Sequence, residues 1–267
     1  MLLRITTVLT CTLALLLFAP SHAIAAQNNR VLLVVSGHGL EEGKARPGFE
    51  MDELTQAYAV FADNGLQVDI ASPAGGVVVA DKFDRDKPYN ERFLADPIAT
   101  AKLNATLSVA SLDKQNYAAI FIIGGKGAMF DLPVDVQLKA LLAQTYQAGG
   151  VIGAVCHGPA VLMNISLPGG VSLLEGRSVT GFSNEEEALF GKGWARAFPV
   201  LLENGLRGSG AQFSDAPMML SHVVTDGRLV TGQNPYSTAA AAEAVIRAMG
   251  RILSLIHISE PTRLLSI

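Results

Sequence analysis

Apolar and polar positions fall along this chain in blocks that predict a regular succession of strands and helices. Residues 31–35 form a short aliphatic run ended by Ser36-Gly37-His38-Gly39. A continuous run of that kind reads as a strand covered on both faces. After a polar loop at 43–48, Leu54, Ala57, Tyr58 and Phe61 share one face of a helix over 49–64, closed by Asn64-Gly65. Residues 66–71 alternate and predict a second strand, ended by Ser72-Pro73-Ala74-Gly75-Gly76. Residues 118–123 predict another buried strand, stopped by Gly124-Gly125-Lys126-Gly127, and 133–147 predict a helix. Residues 179–182 read as a short strand end, followed by an acidic helix start at Asn184-Glu185-Glu186-Glu187, and 200–206 are amphipathic. Residues 222–225 and 228–231 flank an Asp226-Gly227 turn and predict a hairpin, and 237–249 an alanine-rich closing helix.

Strands alternating with helices imply an α/β fold. The expectation is a flavodoxin-like, doubly wound and mostly parallel sheet with helices on both faces, and with the hairpin as a late addition. The charged stretch 81–113, with a helical piece at 93–103, reads as a small cap inserted over the end of the sheet.

The chemistry concentrates where the run from Gly149 to Val155 stops at Cys156 and continues His157-Gly158-Pro159-Ala160. This is the layout of a nucleophile elbow: buried strand, tight turn, helix N-terminus, with the reactive side chain forced out at the carboxyl end of a sheet. A helix dipole and free N–H groups behind the sulfur would favour a thiolate. Ala154 and Gly158 let the chain turn and a substrate approach. A buried structural cysteine is the alternative, but packing alone does not require a following His-Gly-Pro. Gly124-Gly125 also follows a strand, so it belongs at the same sheet edge.

Composition narrows the classes. The 267 residues are 49% hydrophobic and 16% charged, which suits one well-buried domain. A net charge of -4 offers no basic field, so nucleic acid is excluded as a partner. Residues 1–26 read as a secretory signal peptide: Arg4 starts it, 8–18 are apolar, and Ala23-Ile24-Ala25 supplies small residues for cleavage. Cys11 lies inside that apolar segment. The expected location is the periplasm or the cell exterior, with no membrane span after cleavage. One cysteine, Cys156, then remains, with no intramolecular disulfide to form. Residues 254–267 continue no helical period and read as a non-native tail, which leaves 27–253 as the domain.

These pieces together resemble the ThiJ/PfpI superfamily, within the class I glutamine-amidotransferase-like fold. The resemblance runs from about Val31 to Met249. It rests on Glu53, on the 124–133 segment, on Ala154-Val155-Cys156-His157-Gly158-Pro159, on the 180–187 segment and on the 226–235 segment. The larger heat-shock chaperone and glutathione-independent glyoxalase branch is the nearer likeness. The resemblance implies Cys156 as nucleophile, His157 beside it, Glu187 as the carboxylate behind the histidine ring, and Glu53 as an acid that bonds the sulfur and moves protons. Glu186 is the neighbour to test after Glu187. Gly125, Lys126 and His157 would supply the backbone donors of an oxyanion hole. The family usually places histidine where this chain has Lys126. A lysine there could favour a thiolate, alter substrate choice, or simply be solvated.

The implied reaction converts methylglyoxal or a related 2-oxoaldehyde to a 2-hydroxy acid through a hemithioacetal at Cys156, with no cofactor and no metal. A glycated substrate would use the same nucleophile, and a homodimer is expected. A holdase chaperone and a cysteine redox sensor are alternatives. Amidotransfer would need a late His-x-Glu pair, whereas His222 is followed by Val223-Val224-Thr225; a cysteine peptidase is a remoter alternative. His38, His157 and His222 are the histidines of the domain, and His38 alone in a glycine loop is a weak metal candidate.

Overall fold

A computed structural model describes residues 29–39, 46–112, 117–191 and 193–250. The signal-peptide segment and the tail read from the sequence lie outside these residues. The strands are β1 (Arg30–Val34), β2 (Gln67–Ser72), β3 (Leu107–Ser108), β4 (Ala119–Ile122), β5 (Val151–Val155), β6 (Ser178–Val179), β7 (Gln212–Phe213), β8 (Val223–Asp226) and β9 (Leu229–Gly232). The helices are α1 (Met51–Asp63), α2 (Pro88–Ala95), α3 (Pro97–Asn104), α4 (Val136–Gln147), α5 (Asn184–Phe190), α6 (Leu202–Gly208) and α7 (Thr238–Ala248).

Seven strands form one sheet in the order β3-β2-β1-β4-β5-β9-β8, parallel except for the β8–β9 pair. The residues of β4, β5 and β9 are all buried, which is why they read as unbroken apolar runs rather than as alternation. The hairpin forms as the Asp226-Gly227 turn predicts, with Gly227 at φ 60, and its second strand joins β5 in parallel. Helices α1 and α7 pack on each other; Phe61 of α1 meets Phe121 of β4 edge to face, and Val245 of α7 fills the space beside Gly153. Helix α4 packs along β4 and β5. A small parallel pair, β6–β7, stands apart from the main sheet.

Two local expectations change. The segment after Cys156 is not an α-helix but a five-residue 3-10 turn, Gly158–Leu162. Gly-Pro starts it, and Met163 turns extended before Asn164 takes a left-handed φ of 60. So short a turn aligns few peptide dipoles, and the field at the sulfur is correspondingly small. The 81–113 excursion contains two helices, α2 and α3, broken at Asp96, whose side chain caps α3 through the amides of Ile98 and Ala99. Helix α2 packs on α1 and on α3, and α3 packs on β2.

The first turn of α1, β4 and the Cys156 turn meet at the carboxyl end of the sheet, beside the point where the strand order reverses between β1 and β4. Open α/β sheets form their clefts at such a point. Gly158 sits where a Cβ would lie 2.6 Å from the Ile122 carbonyl oxygen. Gly158→Ala is therefore expected to destabilise the fold by about 1–3 kcal/mol, read as a lower denaturant midpoint at unchanged slope.

Candidate active site

Cys156 follows β5 with φ 58, a left-handed conformation unfavourable for a residue with a Cβ. The strain persists because both sides of the turn are fixed: the Cys156 amide donates to the Gly232 carbonyl at 2.9 Å, and the Phe182 amide donates to the Cys156 carbonyl at 2.9 Å. Beneath the sulfur lies Gly124. A Cβ there would stand 2.8 Å from Cys156 Cβ and 2.8 Å from the His157 nitrogen, so only glycine lets β4 end this close.

His157 turns its ring back toward the sulfur, with Nδ1 3.3 Å from Cys156 Sγ and Nε2 2.8 Å from Glu187 Oε2. Histidine and carboxylate are both buried, at 2% and 4% exposure. This is a linear Cys–His–Glu relay: with Nε2 carrying its hydrogen toward Glu187, Nδ1 is free to accept the thiol proton. Glu187 reaches the ring from the first turn of α5, whose N-cap is Ser183. Glu186 has another task. Its Oε2 closes the capping box with the Ser183 amide, and its Oε1 accepts from Asn234 Nδ2 and the Met219 amide.

Glu53 approaches from α1. It is fully buried, and its Oε2 accepts from the Gly124 amide at 2.7 Å. Its Oε1 has no hydrogen-bond partner among the described residues, although the carboxyl lies close enough to Cys156 for each to move the other's titration. Burial, then the charge of Glu50, push the Glu53 carboxyl well above the ordinary carboxylate range, against the pull of the Gly124 amide and of Cys156. The shift favours the protonated carboxylic acid over the carboxylate. Cys156, 4% exposed, is also pushed up, first by burial and then by Glu53, with the Gly125 amide opposing. This corrects the sequence expectation of a sulfur held ionised at an open rim: the resting sulfur is a buried thiol. The short turn behind it supplies too little field to offset desolvation.

The Lys126 ammonium acts on Glu50, whose titration it lowers. The Gly125 amide faces the sulfur, and among the described residues neither the Gly125 nor the His157 amide is taken by a backbone carbonyl. Backbone donors left without a carbonyl partner beside a sulfur are what an oxyanion on a sulfur-bound carbon would require.

The sequence reading missed an aromatic wall. Phe182 and Phe198 lie 4.6 and 5.7 Å from the His157 ring, Phe130 packs on Phe198 and Trp194, and His38 stacks on Phe130 at 4.4 Å. Asp131 braces this side by accepting from Ser36 Oγ at 2.8 Å and from the Gly37 amide at 2.7 Å. His222 stands away from the relay, against Ser214. No group of three or more metal-ligating side chains occurs among the described residues.

With Glu187 Oε1 unpartnered among the described residues, Glu187→Gln would keep the shape but lose the charge that holds the ring. The expected result is a fall in turnover of about 10²–10³-fold with a change in unfolding midpoint of at most about 1–2 kcal/mol, measured side by side on one preparation.

A mostly parallel α/β sheet with a strained cysteine at a strand end, backed by histidine and carboxylate, defines a class of α/β proteins that carry a Cys–His–carboxylate site at the sheet edge. The chain belongs to the DJ-1/PfpI family, whose model matches residues 45–248. A glutathione-independent glyoxalase of Schizosaccharomyces pombe is 35% identical over 241 residues, covering 83% of this chain and 96% of the relative. Among solved structures, glyoxalase III of Candida albicans superposes with a TM-score of 0.76 at 27% identity, covering 83% of this chain and 98% of that one. The Rapid Encystment Protein 24 KDa of Francisella tularensis does so with a TM-score of 0.77 at 32% identity, covering 83% and 99%.

Proposed function

We propose that this protein is a glutathione-independent glyoxalase that converts methylglyoxal or a related small 2-oxoaldehyde to the 2-hydroxy acid through a covalent bond to Cys156. The observation that carries the reading is the placement of two proton-handling groups on one sulfur: the His157–Glu187 relay at 3.3 Å and the buried Glu53 carboxyl, held at Oε2 by the Gly124 amide and close enough to Cys156 for each to shift the other. A simple acyl transfer needs the relay alone. A protonated carboxylic acid beside the sulfur suits a substrate whose proton must move from one carbon to the next.

His157 Nδ1 takes the thiol proton as Sγ adds to the aldehyde carbon, and Glu53 gives its proton to the aldehyde oxygen, producing a hemithioacetal. The Glu53 carboxylate then removes hydrogen from that carbon, and the electron pair moves toward the neighbouring ketone oxygen, which takes the proton from His157. The resulting enediol is reprotonated by Glu53 at the second carbon while the first hydroxyl loses its proton to His157, leaving a 2-hydroxyacyl thioester on Cys156. Water attacks the thioester and gives one proton to the Glu53 carboxylate, the oxyanion facing the Gly125 and His157 amides; His157 then returns its proton to the departing sulfur, releasing the hydroxy acid and restoring the thiol. Isomerisation and hydrolysis add one water and no redox partner. An exposed redox-sensing thiol is less well supported, because Cys156 is buried and its thiol is pushed up rather than down.

The test is lactate formation from methylglyoxal in the absence of any thiol cofactor, wild type against Cys156→Ala. Lactate from the wild type alone supports the reading; equal output from both would remove it.

A further inference from the structure

Helix α5 carries Glu187 to the relay, yet no buried apolar side chain of its own fastens it. Its buried residues are Glu186 and Glu187, while Ala188, Leu189 and Phe190 are exposed. A helix of seven residues has little stability by itself, so its seat is set by the polar groups that hold it. Besides the relay, the Asn184 amide donates to Glu203 Oε2 of α6 at 3.0 Å, and Glu186 reaches inward. Glu186 Oε2 accepts from the Ser183 amide at 3.1 Å; Oε1 accepts from the Met219 amide at 2.9 Å and from Asn234 Nδ2 at 2.8 Å. All of these partners are donors, and only a carboxylate accepts at both oxygens. Asn234 is fully buried and is oriented by its other bonds. Its Oδ1 accepts from the Tyr236 amide and the Ser237 hydroxyl, each at 3.1 Å, and Nδ2 also donates to the Leu220 carbonyl at 2.8 Å. Asn234 lies just beyond Gly232, whose carbonyl accepts from the Cys156 amide. The chain leaving β9 thus holds the relay at both ends, the sulfur through the backbone and the carboxylate through Glu186.

We propose that Asn234 is a positioning residue for the relay: through Glu186 it fixes the first turn of α5 and so sets the reach of Glu187 to the His157 ring. Glu186 and Glu187 are consecutive, so a shift of one backbone position carries the other with it. Within α5 no buried apolar side chain resists that shift. The bond at stake is the 2.8 Å contact between Glu187 Oε2 and His157 Nε2. Glu187 Oε1, without a hydrogen-bond partner among the described residues, gives the carboxylate no second hold.

The kinetic arm of the test rests on the glyoxalase reading above, and the spectroscopic arm does not. Asn234→Ala removes the donor to Glu186 Oε1 and adds no charge. In methylglyoxal turnover, kcat is expected to fall about 10–100-fold with KM within about twofold of wild type, the scale of a small misplacement of a catalytic group. Because Asn234 acts through Glu187, the double variant Asn234→Ala/Glu187→Gln should be at most about threefold slower than Glu187→Gln alone. A larger further loss overturns the proposal, since independent roles multiply. In the spectroscopic arm, protein labelled with nitrogen-15 at histidine reports the His157 ring N–H. Its proton resonance, held downfield by the Glu187 carboxylate, is expected to move upfield in Asn234→Ala, toward its position in Glu187→Gln. A resonance that Asn234→Ala leaves in place overturns the proposal. This arm decides even where the wild type forms no lactate, a result that would remove the glyoxalase reading alone. Should Asn234→Ala fail to fold, Glu186→Gln probes the same link from the other side. Its amide nitrogen must face at least one of the N–H donors that Glu186 now accepts, and the same outcomes apply.

Discussion

Cys156→Ala is expected to lower methylglyoxal turnover by about ten-thousandfold or more while leaving the fold nearly as stable as before. The chemical half follows from the site's dependence on one sulfur: His157 and Glu53 both act on the proton inventory of that atom, and neither has a second nucleophile to serve. The stability half follows from the environment. The side chain is small and buried, its backbone is already left-handed, and alanine inherits the same φ of 58 without new strain. Removal of one buried sulfur should cost roughly 1 kcal/mol, within the range for losing a methyl-sized group. Matched denaturation curves and a large loss of lactate formation would together assign the defect to chemistry.

Glu53→Gln is expected to split two properties that usually fall together. Turnover should drop by about 10²–10⁴-fold, because an amide cannot return a proton to carbon. Alkylation of Cys156 at alkaline pH, where Glu53 is ionised in the wild type, should become faster. The sign follows from the charges: Glu53 is, after burial, the main influence raising the thiol, so removing it lowers the pH at which the sulfur ionises. More thiolate at a given pH means more alkylation. A glutamine also keeps the Gly124 amide supplied with an acceptor, so the floor of the site should hold. A parallel loss of turnover and alkylation would instead indicate that Glu53 only maintains the shape of the pocket.

The buried glutamates also make stability depend on pH. Glu50 titrates at about 7 in the fold and near 4.5 when unfolded, so the folded state binds the extra proton between those values. Stability from this group is complete below about 4.5 and is lost as pH rises through 7. Accordingly, Glu50→Gln should raise the melting temperature relative to wild type at pH 8 and leave the difference small at pH 4.5.

Much of this was legible in the sequence because burial on both faces leaves an unmistakable trace. β1, β4 and β5 are aliphatic runs ending in glycine or cysteine, and a parallel sheet gathers those ends at one edge. Cys156 and His157 were readable from local spacing, whereas Glu53 and Glu187 were found only through family resemblance. An acidic residue in a first helical turn has an ordinary explanation, and nothing local says that Glu53 is fully buried. The aromatic wall left no periodic signal, since Phe130, Phe182, Trp194 and Phe198 come from short turns and coil around the site. The ionisation of the sulfur was misjudged for a related reason. Sequence shows a residue's neighbours along the chain, but desolvation is set by what packs across it, here Gly124 and Glu53 from elements distant in sequence.

The most direct measurement is peptide mapping of the wild-type protein quenched in acid during turnover of saturating methylglyoxal. The mechanism requires a 2-hydroxyacyl thioester on Cys156, seen as the mass of one added methylglyoxal on the peptide that contains it and lost on treatment with hydroxylamine. Lactate accumulating while Cys156 stays unmodified at every time point, or an adduct carried by another residue, would contradict it.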